Sequence, residues 1–180
     1  LSFILKWPIV HTRYRELKKE DFSKDLPVYL GYHAEFQTQH VGELLPYTGE
    51  EVLPIEEEPE KWLRKIIELA EEVDTQLCFF MAPSTASLED QKKYKYVEKM
   101  ATEKGIPFLN FIQLESQLGL NPATDFIDGM HTNYYGAEKV TAYMGDFLWS
   151  KYELSSHFGD DRYLLWEEDL KVRAHELTNH

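Results

Sequence analysis

From residue 60 onward, apolar positions recur with periods that identify the elements they build. Trp62, Leu63, Ile66, Ile67, Leu69, Ala70 and Val73 fall on one wide face at helical spacing, which predicts an amphipathic helix. Residues 76–82, apolar from Leu77 onward through Leu77-Cys78-Phe79-Phe80-Met81, have the pattern of a strand covered on both faces. Pro83-Ser84-Thr85 ends it. Ser87, with Asp90 three residues on, reads as a variant capping box for a second helix. That helix has Tyr94, Val97, Met100 and Ala101 on its inner face, and Gly105 then Pro107 stop it. Ile106 to Phe111 is a second short apolar strand, followed by a short helix around Gln113–Leu118. Asn133 is a candidate N-cap for the last strong helix, where Ala137, Val140, Thr141, Met144, Phe147 and Leu148 repeat at i, i+3, i+4, i+7. Gly136 and Gly145 inside it each cost roughly 1 kcal/mol relative to Ala, so both predict close packing of the helix backbone against a neighbour. The charged tail from Asp160 to Leu177, with Tyr163, Leu164, Trp166 and Leu170, predicts a surface helix.

The N-terminal third is harder to assign. Trp7, Val10, Tyr14 and Leu17 predict a helix over residues 7–22. Between residues 23 and 59, Pro27, Pro46, Pro54 and Pro59, with Gly31, Gly42 and Gly49, break any long element. Glu50, Glu51, Glu56, Glu57 and Glu58 make an acidic run that reads as a solvated excursion, since its spacing does not converge oxygens on a cation. The alternation from residue 60 implies right-handed βαβ units: an α/β fold, three-layered α/β/α, with a short parallel sheet. Only two strands are evident. The others are expected from residues 23–59, from another chain, or from polypeptide preceding Leu1. The organisation is one domain in three parts: 1–59, the helix and acidic excursion; 60–155, the α/β core; and 156–180, the C-terminal helix.

Composition narrows the function classes. The chain has 180 residues, 43% hydrophobic and 14% aromatic, enough for a packed core. A formal net charge of −13 argues against binding nucleic acid or an anionic membrane, because neutralising phosphates needs Lys and Arg. Cys78 is the one cysteine, so no internal disulfide forms, and its apolar setting reads as a small buried hydrophobe. No segment reaches the ~20 apolar residues of a membrane span. The short apolar start (Leu1-Ser2-Phe3-Ile4-Leu5) lacks an initiator Met and a basic leader, and reads as a start in mid-protein. The histidines outside the loop described next show no zinc spacing, and there is no Gly-rich phosphate loop, so neither metal nor cofactor is expected.

The chemistry concentrates in Asp128-Gly129-Met130-His131-Thr132-Asn133. Asp128 and His131 stand three residues apart before a helix. A histidine acts as general base when one ring nitrogen faces the nucleophile and a carboxylate holds the other. Gly129 is expected to make the intervening turn possible at low steric cost. The turn at Pro83-Ser84-Thr85 and the loop Asp125–His131 both leave strand ends, so both are expected on one rim. The block from Asp128 through Tyr134-Tyr135-Gly136-Ala137 resembles the last motif of the SGNH, or GDSL-type, hydrolases. Residues 60–170 are similar to the second half of bacterial SGNH-like proteins related to the teichoic-acid D-alanine transfer protein.

The resemblance implies a flavodoxin-like fold, incomplete at its N-terminal side. It also implies a Ser-His-Asp triad with Asp128 and His131 as its acid–base half, acting on acyl esters, among them those of cell-envelope polysaccharides at a bacterial surface. The family's Gly-Asp-Ser or Gly-Ser-Ser nucleophile block is not in the chain, so the isolated chain is expected to be silent. Two candidates for substrate binding remain open. Ser84 follows a strand end, as His131 does, but also reads as a loop or cap residue. Asn133 reads either as a substrate contact or as a helix cap. The alternative function is a non-catalytic module that binds carbohydrate or protein, for which Tyr134, Tyr135, Tyr143, Trp149 and Trp166 offer stacking surfaces, though their helical spacing favours core packing for most. Unpaired sheet edges predict homo-oligomers.

Overall fold

The computed structural model describes residues 34–177; the predicted helix over residues 7–22 lies outside them. The described residues belong to two compact units, residues 34–155 and the segment from Ser156 onward. The larger unit is a mixed α/β fold. Helix α1 spans Glu57–Glu72 and starts earlier than its apolar face requires, with Glu57, Glu58 and Glu60 in its first turn. Carboxylates there complement the positive end of the helix dipole, so the last part of the acidic run is helix rather than excursion. Ile67 and Ala70 are buried, yet Trp62, Ile66, Leu69 and Val73 stay exposed. The wide apolar face is covered over one half only.

Strand β1 (Phe79–Met81) pairs in parallel with β2 (Phe108–Asn110) in the register Phe79↔Phe108, Phe80↔Leu109, Met81↔Asn110. Leu109 and Asn110 are buried, whereas Phe80 is exposed, so β1 is not covered on both faces as its apolar run predicts. Helix α2 (Leu88–Glu103) connects the two strands. Its cap matches the sequence pattern: Ser87 Oγ accepts from the Asp90 N–H at 3.1 Å and donates to Asp90 Oδ2 at 2.6 Å. Gly105, at φ 70°, follows its C-cap Lys104 in the left-handed conformation that ends helices without a Cβ penalty.

Residues 34–56 carry no helix or strand, but they are not a free excursion. They lie along α2 as a strap. The amide of buried Gln91 donates to Leu45 O and Ala86 O and accepts from the Tyr47 N–H at 2.8 Å. Lys92 meets Glu51, Lys93 meets Glu56 at 2.8 Å, and Lys95 Nζ donates to Gly49 O at 2.6 Å. The ion pairs are exposed and screened by water, so each contributes little. Gln91 is the stronger staple because its buried amide has no water to fall back on. Farther back, the strap packs Val41 and Leu44 against Leu118, Leu120 and Phe126.

After the short helix α3 (Glu115–Leu118) comes an element the hydrophobic pattern does not announce. Strands β3 (Phe126–Asp128) and β4 (His131–Thr132) form a small antiparallel ribbon with an irregularity between Phe126 and Asp128. It leads through the cap Asn133 into helix α4 (Tyr134–Lys151). In the second unit a 3-10 turn (Asp161–Tyr163) precedes helix α5 (Leu164–Leu177), and the His157 ring stacks on Tyr163 at 4.3 Å.

The two helix glycines have opposite reasons for being there. A β-carbon at Gly136 would collide with the carbonyl oxygen of Asp125 and lie 3.0 Å from Thr132 Cβ, while one at Gly145 would meet nothing within 4 Å. The expected close approach holds for Gly136 alone. Gly145→Ala should therefore raise stability by up to about 1 kcal/mol through helix propensity. Gly136→Ala should lower it by about 1–3 kcal/mol through overpacking. Urea denaturation of the two variants beside wild type checks both signs.

Candidate active site

The site is built on a buried polar knot between α3 and α4. Asp125 is 2% exposed. Its carboxylate accepts from the Asn121 N–H at 2.8 Å, from Thr124 Oγ1 at 2.9 Å and from Lys139 Nζ at 2.7 Å. Burial alone would raise its pKa. The Lys139 ammonium, the Asn121 N–H and the Thr124 hydroxyl outweigh that and hold the carboxyl below the usual range. The Asp125 carbonyl accepts from the Asn133 N–H at 2.9 Å. Asn133, 1% exposed, spends its whole amide on structure: Nδ2 donates to Gln37 O and Thr124 O, and Oδ1 accepts from the Gly136 N–H at 3.1 Å. Of its two readings from sequence, the geometry of this buried side chain favours the cap.

From this anchor the ribbon carries the dyad outward. Asp128 and His131 are directly opposed across β3 and β4, with Gly129 and Met130 as the connecting pair. A spacing of three residues thus becomes a cross-strand pair whose side chains share a face. His131 Nδ1 lies 2.9 Å from both Asp128 oxygens. The same carboxylate accepts the backbone N–H groups of Met130 at 2.7 Å and His131 at 2.9 Å, an Asx-type turn. The His131 ring, then the Met130 N–H, keep the Asp128 pKa below the ordinary carboxylate value. An ionised carboxylate only accepts, so Nδ1 carries the proton and the Nε2 lone pair is the free basic position. The pair is open: the His131 side chain is 68% exposed and that of Asp128 48%.

Gly129 has a role other than the one its sequence context suggests. Its φ is not positive, so turn conformation does not demand glycine. What demands it is Thr85, whose Oγ1 would lie 2.6 Å from a β-carbon at residue 129. The Thr85 N–H and hydroxyl both donate to the Gly129 carbonyl, at 2.8 Å and 3.1 Å, so the two loops do share one rim. Ser84, beside Thr85, is only 4% exposed, and among the described residues no serine hydroxyl is hydrogen-bonded to His131. Burial makes Ser84 a poor meeting point for an external acyl group. Sequence pattern places Asp125 and Thr85 in their loops but assigns no role to either of them or to Lys139. The only signal was local, the Asn121-Pro122-Ala123-Thr124-Asp125 turn pattern.

Among the described residues no group of three or more His, Cys, Asp or Glu side chains could hold a metal, and no helix is long and apolar enough to cross a membrane. Cys78 is partly buried; burial pushes its thiol up, which is the wrong direction for a nucleophilic thiolate. The aromatic residues divide. Tyr143 packs edge-on against Phe111 at 5.9 Å, and Tyr134 lies 5.1 Å from Phe36. Trp149, Trp166 and Tyr135 are exposed, so helical spacing overstates the packing of these three.

The lowered Asp125 pKa gives the site's stability a definite pH dependence. Its contribution is complete above the unfolded carboxylate value of about 4 and is lost as pH falls through the lower folded value. Asp125→Asn should cost about 2 kcal/mol at pH 7, as expected for charge-assisted hydrogen bonds, and the gap to wild type should narrow by pH 3. Urea unfolding at both pH values measures it. No family model, no characterised protein and no solved structure matches the chain.

Proposed function

We propose that the chain contributes the acid–base half of a serine ester hydrolase or O-acyltransferase of the SGNH/GDSL type. The observation that carries this reading is the His131–Asp128 pair, with Nδ1 held at 2.9 Å and Nε2 outward at the rim of the sheet. A serine that this chain does not supply attacks the acyl carbonyl, and Nε2 takes its proton. Asp128 holds the ring and offsets the imidazolium charge. His131 then returns the proton to the leaving alkoxide. Water or a second alcohol resolves the acyl-enzyme, which separates hydrolase from transferase. No step calls for a cofactor.

The parallel β1–β2 pair and the ribbon before the last helix of the unit suit a three-layer α/β/α domain of the flavodoxin-like kind. The substrates of this reading are O-acyl groups, including those on cell-envelope polymers at a bacterial surface. Each strand of the parallel pair has one outer edge without a strand partner among the described residues, and Phe80 is exposed beside it. Both features favour self-association through sheet edges.

A second reading has its own observation. His157, Phe158, Tyr163, Trp166, Glu167 and Leu170 line a cavity of about 340 Å³ in the C-terminal unit, an aromatic setting suited to a carbohydrate- or protein-binding module. Fluorophosphonate labelling of the full-length natural protein separates the two. The serine-enzyme reading expects labelling of wild type and a fall of at least about a hundredfold in labelling rate for His131→Ala, the scale of a lost general base. Unlabelled but folded wild type overturns it and leaves the binding module.

A further inference from the structure

We propose that Thr85 is a positioning residue for the His131–Asp128 pair, setting the tautomer and aim of His131 through the Gly129 carbonyl; this rests on the reading of the pair as an acid–base dyad. The ribbon needs such a restraint. Its base is anchored at buried Phe126 and Asn133, but its tip is bare: Met130 is exposed and both dyad side chains face solvent. Among the described residues, the only hydrogen bonds joining residues 128–131 to a distant element are those from Thr85 to Gly129 O. They span a separation of 44 residues and fasten the tip to the segment that leaves β1.

The contact has the form of a clamp rather than a chance approach. One residue supplies two donors to one acceptor, and a β-branched side chain has few rotamers through which to release it. The partner is glycine, where any β-carbon would displace the hydroxyl. Gly129 immediately follows Asp128, whose carboxylate gathers the Met130 and His131 N–H groups together with the imidazole. A shift of the Gly129 peptide therefore moves the acceptor that keeps the proton on Nδ1. In an exposed dyad, water competes for every one of these bonds, so fixed geometry matters more than it would in a buried triad.

The test reads the imidazole directly, by long-range proton–nitrogen correlation of His131 in the full chain at a pH where the ring is neutral. Wild type should show mainly the Nδ1–H tautomer. Thr85→Val removes the hydroxyl but leaves the backbone N–H, and should lower the Nδ1–H to Nε2–H ratio roughly threefold or more, the scale of one lost hydrogen bond. Thr85→Ser should restore it. Gly129→Ala, which crowds an intact Thr85, should shift the ratio in the same direction and serves if Thr85→Val does not fold. An unchanged ratio in a folded variant overturns the positioning role. A wild type dominated by Nε2–H refutes the dyad itself. Failure of fluorophosphonate labelling with the tautomer shifts intact would remove the serine chemistry while leaving the clamp in place.

Discussion

A buried carboxylate organises the region around the Asp128–His131 pair. Asp125 sits out of water, where an unpaired charge is costly, and it is kept ionised by one ammonium, one backbone N–H and one hydroxyl. Satisfying it draws the α3–β3 turn onto α4 through Lys139, whose Nζ also donates to Gly119 O at 2.8 Å. The same residue's carbonyl holds the Asn133 N–H, and Gly136 must be glycine to let the helix approach that carbonyl. Ribbon, cap and helix therefore form one cooperative polar unit. A fully satisfied buried network of this kind specifies geometry more than it adds stability.

The Asp128–His131 pair is carried outward from that rigid base to an open edge. Register places Asp128 opposite His131, and the Asx-type turn adds two backbone donors to the same carboxylate. With Nδ1 held against Asp128, Nε2 is the nitrogen left to face outward. The pair differs from a buried triad in its exposure, because water at the rim screens the attraction between Asp128 and a protonated ring. The full electrostatic benefit of such a pair requires a covering element that excludes water.

Uncovered apolar surface recurs elsewhere. Trp62, Ile66, Leu69 and Val73 on α1 and Phe80 on β1 are exposed although their patterns are those of core positions. Two strands of three residues present too narrow a surface to cover a sixteen-residue helix. The strap of residues 34–56 covers α2 instead, through Gln91 and a row of lysines, so the two long helices flanking β1 are dressed unequally.

Features that depend on neighbours a few residues apart are legible along the chain. The helix–strand alternation, the Ser87 and Asn133 caps, the stop at Gly105 and the meeting of Asp128 with His131 all arise from contacts within about one helical turn or one hairpin. The rest arises only in the assembled fold. Whether an apolar face is buried depends on which surface arrives opposite it, so α1 and Trp149 were overstated. Asp125 looked like any loop carboxylate until Lys139 reached it, and Gly129 like a turn residue until Thr85 filled the space above it. The division has one physical cause. Backbone conformation and short-range hydrogen bonds are encoded where they occur, whereas burial and long-range pairing belong to two segments at once.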